Sequence, residues 1–203
     1  DTVGGDYSLI GGGRFNKIHS GTSSAILAGQ NNYIFSGTMP WLGSSDNSTI
    51  LGGRRDSIIM SSSASIIGGE NSRINRSFHA GIYAGRLNFI DRSQGSVILG
   101  GFGDTIFPTT AGYGRSVIIG GEFNKINASV NNLAVVIGGS NNTASGTHSI
   151  ITGGSNNTAY SYNEWVGGLN STIYAPFNMT GFDGRDKLFV IGNGTSNIAR
   201  SNR

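Results

Sequence analysis

Ser65-Ile66-Ile67-Gly68-Gly69-Glu70-Asn71-Ser72-Arg73-Ile74 is one unit of a pattern that recurs along almost the whole chain. Aligned on its second glycine, the pattern has anchors at Gly13, Gly29, Gly53, Gly69, Gly85, Gly101, Gly121, Gly139, Gly154 and Gly168, with Asn193 in the eleventh place. The successive steps are 16, 24, 16, 16, 16, 20, 18, 15, 14 and 25 residues. Self-similarity at such a period marks stacked repeats.

Working outward from the anchor, three residues before it stand Ile10, Ile26, Ile50, Ile66, Ile82, Ile98, Ile118, Val136, Ile151, Trp165 and Val190. Five residues after it stand Ile18, Ile34, Ile58, Ile74, Ile90, Ile106, Ile126, Ala144, Ala159, Ile173 and Ile198. Between them, three after the anchor, runs a column that is polar throughout: Asn16, Asn32, Asp56, Ser72, Asn88, Asp104, Asn124, Asn142, Asn157, Ser171 and Ser196. Such side chains bond nearby backbone in turns, and the anchor glycine is expected to supply a positive φ. Each coil therefore reads leading strand, Gly-Gly turn, following strand, turn.

Sixteen residues are too few for two helices, and β-branched residues fill the apolar columns. The expectation is an all-β parallel β-solenoid of about eleven coils of about 16 residues. Residues 1–203 form one repeat domain with insertion loops near 35–48, 107–115, 127–134 and 174–187. At the usual strand spacing of about 4.8 Å, ten steps make a rod of about 50 Å.

The leading strand carries a second message. Two before the anchor stand Leu27, Leu51, Ile67, Tyr83, Leu99, Ile119, Ile137, Val166 and Ile191, with Gly11 and Thr152 as exceptions. Successive strand residues face opposite ways, so both faces of this strand are apolar and a narrow coil encloses only one. The outer face is expected to pack on other subunits, with a threefold bundle of parallel rolls as the natural closed assembly. Arg54, Glu70 and Arg86, each sixteen residues apart, are expected to stack as an exposed charge ladder.

The repeat Ser-x-Ile-x-Gly-Gly-x-x-Asn-x-Ile, complete in Ser116 to Ile126 and varied in Ser65 to Ile74, where Ser72 takes the Asn place, resembles the head repeats of trimeric autotransporter adhesins; related repeats occur in phage and viral fibres. The run Leu188-Phe189-Val190-Ile191-Gly192-Asn193-Gly194-Thr195, through Ala199-Arg200-Ser201-Asn202, is similar to segments that precede self-cleaving intramolecular chaperone domains. The resemblance implies a left-handed β-roll, a homotrimer and a surface-binding role. The coils here are longer than those of the adhesin heads and the insertions are unusual, so a bacterial adhesin head and a viral or phage tail fibre both stay open. Either places the chain outside the cell, on a virion or a bacterial surface. The pattern starts and stops in mid-coil, as expected of a piece of a longer chain.

Composition narrows the function classes. The chain has 203 residues with 34 glycines, 12% charged residues and no cysteine, which excludes disulfides and thiolate chemistry. The net charge of +3 reflects scarce acids, and no Lys/Arg run tracks a phosphate backbone, so nucleic acid is not an expected partner. No apolar run is long enough to span a membrane as a helix. His19, His79 and His148 fall at different repeat positions without the pairing of a zinc site. The glycine-rich stretches lack the Lys-Ser/Thr ending of a phosphate loop. Asp56 and Asp104 are three coils apart, about 14 Å by coil spacing, farther than glycosidase carboxylates. No catalytic residue, metal or cofactor is expected. The alternative is a polysaccharide-degrading tailspike with its acids between subunits.

Every long step adds residues after the following strand and before the next leading strand. These loops should line one edge of the rod, and they hold Trp41, Phe107, Tyr113, Tyr174 and Phe177. Loops on a rigid scaffold are where recognition usually resides, and flat aromatic faces suit sugars and protein receptors. These five are the candidate contacts for a host-surface glycan or protein receptor, Trp41 and Tyr113 foremost. A competing role is that each ring pins its own loop.

Overall fold

Isoleucine and valine at alternate positions suit a strand with one buried face, because their stiff side chains lose little freedom on a pleated surface. The computed structural model describes residues 1–36, 46–108, 114–127 and 133–202. Among these the chain is a parallel β-solenoid of about nine turns, roughly 16 residues each, with no helix. The leading strands, from Leu9–Ile10 through Ser65–Ile67 to Trp165–Leu169 and Phe189–Asn193, form an 11-stranded sheet. The following strands, from Thr2–Val3 through Arg73–Asn75 to Thr158–Ala159, form a 10-stranded sheet. Each strand pairs with its equivalent one coil away, as in Ile66↔Ile82↔Ile98↔Ile118.

The core is two stacks of aliphatic side chains. Ile26, Ile50, Ile66, Ile82, Ile98, Ile118, Val136 and Ile151 point inward from the leading sheet. Ile18, Ile34, Ile58, Ile74, Ile90, Ile106 and Ile126 do so from the following sheet. Each fully buried isoleucine contributes about 1.5–3 kcal/mol, so the stacks dominate the stability.

The polar column lies inside the coil, at the glycine corner. Asn16, Asn32, Asp56, Ser72, Asn88, Asp104, Asn124, Asn142 and Asn157 are all buried. They form a ladder in which one coil's backbone N–H donates to the side-chain oxygen of the coil before. Asn32 N reaches Asn16 Oδ1 at 3.1 Å, Asn142 N reaches Asn124 Oδ1 at 3.1 Å and Asn157 N reaches Asn142 Oδ1 at 3.1 Å. Each asparagine Nδ2 donates in turn to carbonyls, as Asn142 does to Gly138 at 3.4 Å and Gly154 at 3.1 Å. The anchor glycines leave room for this amide and hold φ between +79° at Gly139 and +116° at Gly69. A methyl on Gly121 would collide with Asn124 Nδ2.

A second polar column, two residues before the leading isoleucine, explains the Ser-x-Ile signature. Ser48 N donates to Ser24 Oγ at 3.3 Å, and Ser116 N to Ser96 Oγ at 3.0 Å. Both columns satisfy backbone groups that a coil this narrow would otherwise bury unpaired.

The register departs from the sequence alignment near the C-terminal end. Ile151 pairs with Val166 and Val166 with Val190, so Val166, not Trp165, takes the inner column. Val166 is fully buried while Trp165 is 46% exposed. The turn here is one residue shorter, two residues from Val166 to Gly168 against three from Ile151 to Gly154, and an isoleucine-sized slot has no room for an indole. The eleventh anchor is likewise Gly192, which pairs with Gly168, and Asn193 pairs with Leu169. Ile173 and Ile198, aligned with the inner following column, are 62% and 99% exposed, because the chain keeps the ladder only as far as Ser171, whose N–H donates to Asn157 Oδ1 at 3.1 Å, and then leaves the coil. The charge ladder stacks as Arg54↔Glu70↔Arg86, but the ion pair joins Arg54 and Glu70 while Arg86 lies 4.7 Å from the Phe102 ring centre.

Candidate functional site

Parallel, in-register sheets force every connection from a following strand to the next leading strand through one corner of the coil. The chain enters and leaves that corner between Tyr33–Phe35 and Thr49–Ile50, between Thr105–Ile106 and Val117–Ile119, and between Lys125–Ile126 and Val135–Ile137, where the inserted residues 37–45, 109–113 and 128–132 lie outside the described ones. The 174–187 loop lies along it as well. Thr147 N donates to Met179 O at 2.8 Å and Tyr162 N to Asn178 O at 3.3 Å, both from following-to-leading turns of earlier coils.

Trp41 and Tyr113 lie outside the described residues. The other three candidates are placed separately along the corner. Phe107 is half-buried, with the Arg92 guanidinium 4.3 Å from its ring centre. Arg92 also pairs with the buried Asp91 at 3.2 Å, and Arg76 pairs with the same carboxylate at 2.7 Å, so Phe107 sits over a fixed charge cluster. Tyr174 is half-buried, packs edge-on against Tyr160 at 5.5 Å, and has the Lys187 ammonium 4.4 Å from its ring centre. Phe177 is 62% exposed, with Arg185 stacked 3.9 Å above it. Its N–H and that of Asn178 are held by Asp186 at 2.7 and 2.8 Å, which fixes the loop.

Tyr174 is anchored from below by a buried carboxyl. Its hydroxyl donates to Glu164 Oε2 at 2.9 Å and contacts Ser161 Oγ, while the N–H groups of Tyr160 and Ser161 donate to the same Oε2 at 2.5 and 2.9 Å. Glu164 occupies the serine column of the last full coil, and burial pushes its carboxyl above the ordinary range against these hydrogen bonds. Burial likewise pushes the Tyr174 hydroxyl upward, with Glu164 adding to the effect. Tyr174 thus pins its loop and shows only part of one face.

Two aromatics at this corner escaped the sequence reading. Tyr160 and Tyr162 follow the inner Ala159 directly, and Tyr162 packs against His148 at 5.1 Å. The sequence signal is Tyr160-Ser161-Tyr162, two rings in a short step of the repeat where no long insertion marks them. A shallow hollow of about 250 Å³ opens at the opposite, glycine corner, lined by Asn71, Arg73, Leu87, Asn88 and Phe89. Among the described residues no three His, Asp or Glu side chains come together to hold a metal ion.

The second surface is the outer face of the leading sheet. Leu27, Leu51, Ile67, Tyr83, Leu99, Ile119, Ile137 and Ile191 stand one per coil, between 37% exposed at Tyr83 and 45% at Ile137. Val166, aligned with this stripe in the sequence, is instead inside. No family model matches the chain, and no curated protein matches it.

Proposed function

We propose that the chain is a structural and adhesive module of a trimeric fibre or head, displayed on a virion or a bacterial surface and attaching it to a host or cell surface. The observation that carries this reading is the aliphatic stripe on the leading sheet. Scattered exposed apolar residues are ordinary, but a row unbroken from Leu27 to Ile137 over seven successive coils is a contact surface for another macromolecule. A second and third copy of this chain suit it best. Parallel rods with the same repeat present matching rows in the same register, and threefold closure leaves none of the stripe in water. The resemblance to trimeric adhesin heads and viral fibres, with their left-handed rolls, points the same way.

With the stripes at the centre, the loop corner flanks the outward-facing following sheet and supplies the recognition surface. The Tyr174 ring with the Lys187 ammonium beside it suits a sugar that carries a carboxylate or sulfate, whereas the Arg185 guanidinium over Phe177 is held by Asp183 at 2.7 and 2.9 Å, which leaves Phe177 as a flat stacking face. The test is an array of neutral and acidic surface glycans probed with the protein and with a Trp41→Ala, Tyr113→Ala, Phe177→Ala variant. The expected result is binding that the variant loses while its mass and melting temperature stay unchanged. Binding that persists in the variant overturns the loop-corner assignment, and new reducing ends on a bound glycan overturn the adhesive reading in favour of a depolymerase.

A further inference from the structure

Two rungs of the asparagine ladder are aspartates, and their geometry is that of the asparagines they replace. A methyl on Gly53 would collide with Asp56 Oδ2, and one on Gly101 with Asp104 Oδ2. At Gly29, Gly85 and Gly121 the atom met in that place is the Nδ2 of Asn32, Asn88 and Asn124. The other carboxylate oxygen keeps the ladder intact: Asp56 Oδ1 accepts from Ser72 N at 2.8 Å, and Asp104 Oδ1 from Asn124 N at 2.8 Å. The second oxygen therefore stands where every asparagine rung presents a donor to carbonyls. As a carboxylate it has nothing to donate, and Asp56 Oδ2 and Asp104 Oδ2 are both buried without a partner.

We propose that Asp56 and Asp104 are buried proton-binding sites, each taking up one proton on Oδ2 to restore the missing donor, so that the solenoid becomes more stable on acidification. A carboxylic O–H there would donate to the next anchor's carbonyl, Gly69 O or Gly121 O, as the asparagine rungs do. Nothing else at either site neutralises the charge. Asp56 faces Asn32 on the coil before and Ser72 on the coil after; the charged group acting on it is Glu70, and the neighbouring Arg54 is engaged by Glu70. Asp104 faces Asn88 and Asn124; the charged group acting on it is Glu122, and Arg86 is drawn off over Phe102.

Burial, with a smaller push from these glutamates, raises both carboxyls from an ordinary 3.8 to about 6. The sign follows from linkage. Between about pH 4 and pH 6 the folded state holds protons that the unfolded chain has released, so stability is fully present below that window and is lost as pH rises through it. Each site then lowers the folding constant about tenfold per pH unit across the window, close to a hundredfold by pH 7.

The test compares denaturant unfolding of the natural chain with Asp56→Asn, Asp104→Asn and the double variant from pH 4 to pH 8. These substitutions restore the residue found at the other rungs, so the variants fold. The expected result is a stability difference that is smallest at pH 4, favours the asparagine variants at pH 7, and is about twice as large in the double variant. Taking the difference cancels Glu164, which stays in every chain. A difference that does not change with pH, or asparagine variants less stable than the natural chain at pH 7, overturns the proposal.

Discussion

At the scale of single residues, the buried asparagines hold the coil closed. Asn142 takes the N–H of Asn157 on its oxygen and spends its amide on the carbonyls of Gly138 and Gly154, tying its own coil to the next with one side chain. Truncating it leaves the Asn157 N–H buried and unpaired beside a small cavity. Asn142→Ala is expected to cost about 3 kcal/mol in chemical denaturation, since an orphaned buried donor and a cavity each destabilise by about 1–3 kcal/mol. Had these side chains faced solvent, as turn asparagines often do, the loss would be a few tenths. The polar column was legible in the sequence because it contains no apolar residue. Its burial was not, because an asparagine bonding a turn from outside and one bonding it from within leave the same composition.

At the scale of the element, the columns fixed the strands wherever the spacing from isoleucine to anchor held at three residues. They misplaced the register where that spacing shortened. Trp165 and Val166 exchange faces because a period-2 strand turns every side chain over when one residue is lost. The inner following column shows the same limit. Ile126 and Ile198 hold equivalent places in the alignment, yet one is fully buried and the other 99% exposed in a C-terminal segment that folds back on itself, with Thr195 N bonded to Ala199 O. Ile126→Ala is accordingly expected to cost about 2–5 kcal/mol and Ile198→Ala less than about 0.5 kcal/mol, read from unfolding midpoints. Equal costs would restore the sequence alignment. The 174–187 loop, bonded to the turns at Thr147 and Tyr162, lies where the spacing of the insertions in the repeat pointed. The Glu164–Tyr174 anchor was not, since a glutamate among serines looks like a surface substitution until the coil interior is seen.

At the scale of the whole molecule, a narrow coil cannot bury both faces of its leading strand. The following sheet turns a mixed column outward, Lys17, Tyr33, Ser57, Arg73, Phe89, Thr105 and Lys125, whereas the leading sheet turns an apolar one outward from Leu27 to Ile137. In the proposed assembly this asymmetry between two sheets of one coil would separate a partner-facing side from a solvent-facing one. If three copies share the stripe, folding and assembly are coupled and stability depends on protein concentration. The glycine corner and the loop corner would then flank each subunit's solvent face, with the recognition loops repeated three times around the fibre. Multi-angle light scattering on the eluting protein at micromolar concentration tests this most directly: the account predicts three times the chain mass of 21.1 kDa, with Leu51→Lys and Ile119→Lys reducing it, and a single chain mass for the natural sequence would contradict it.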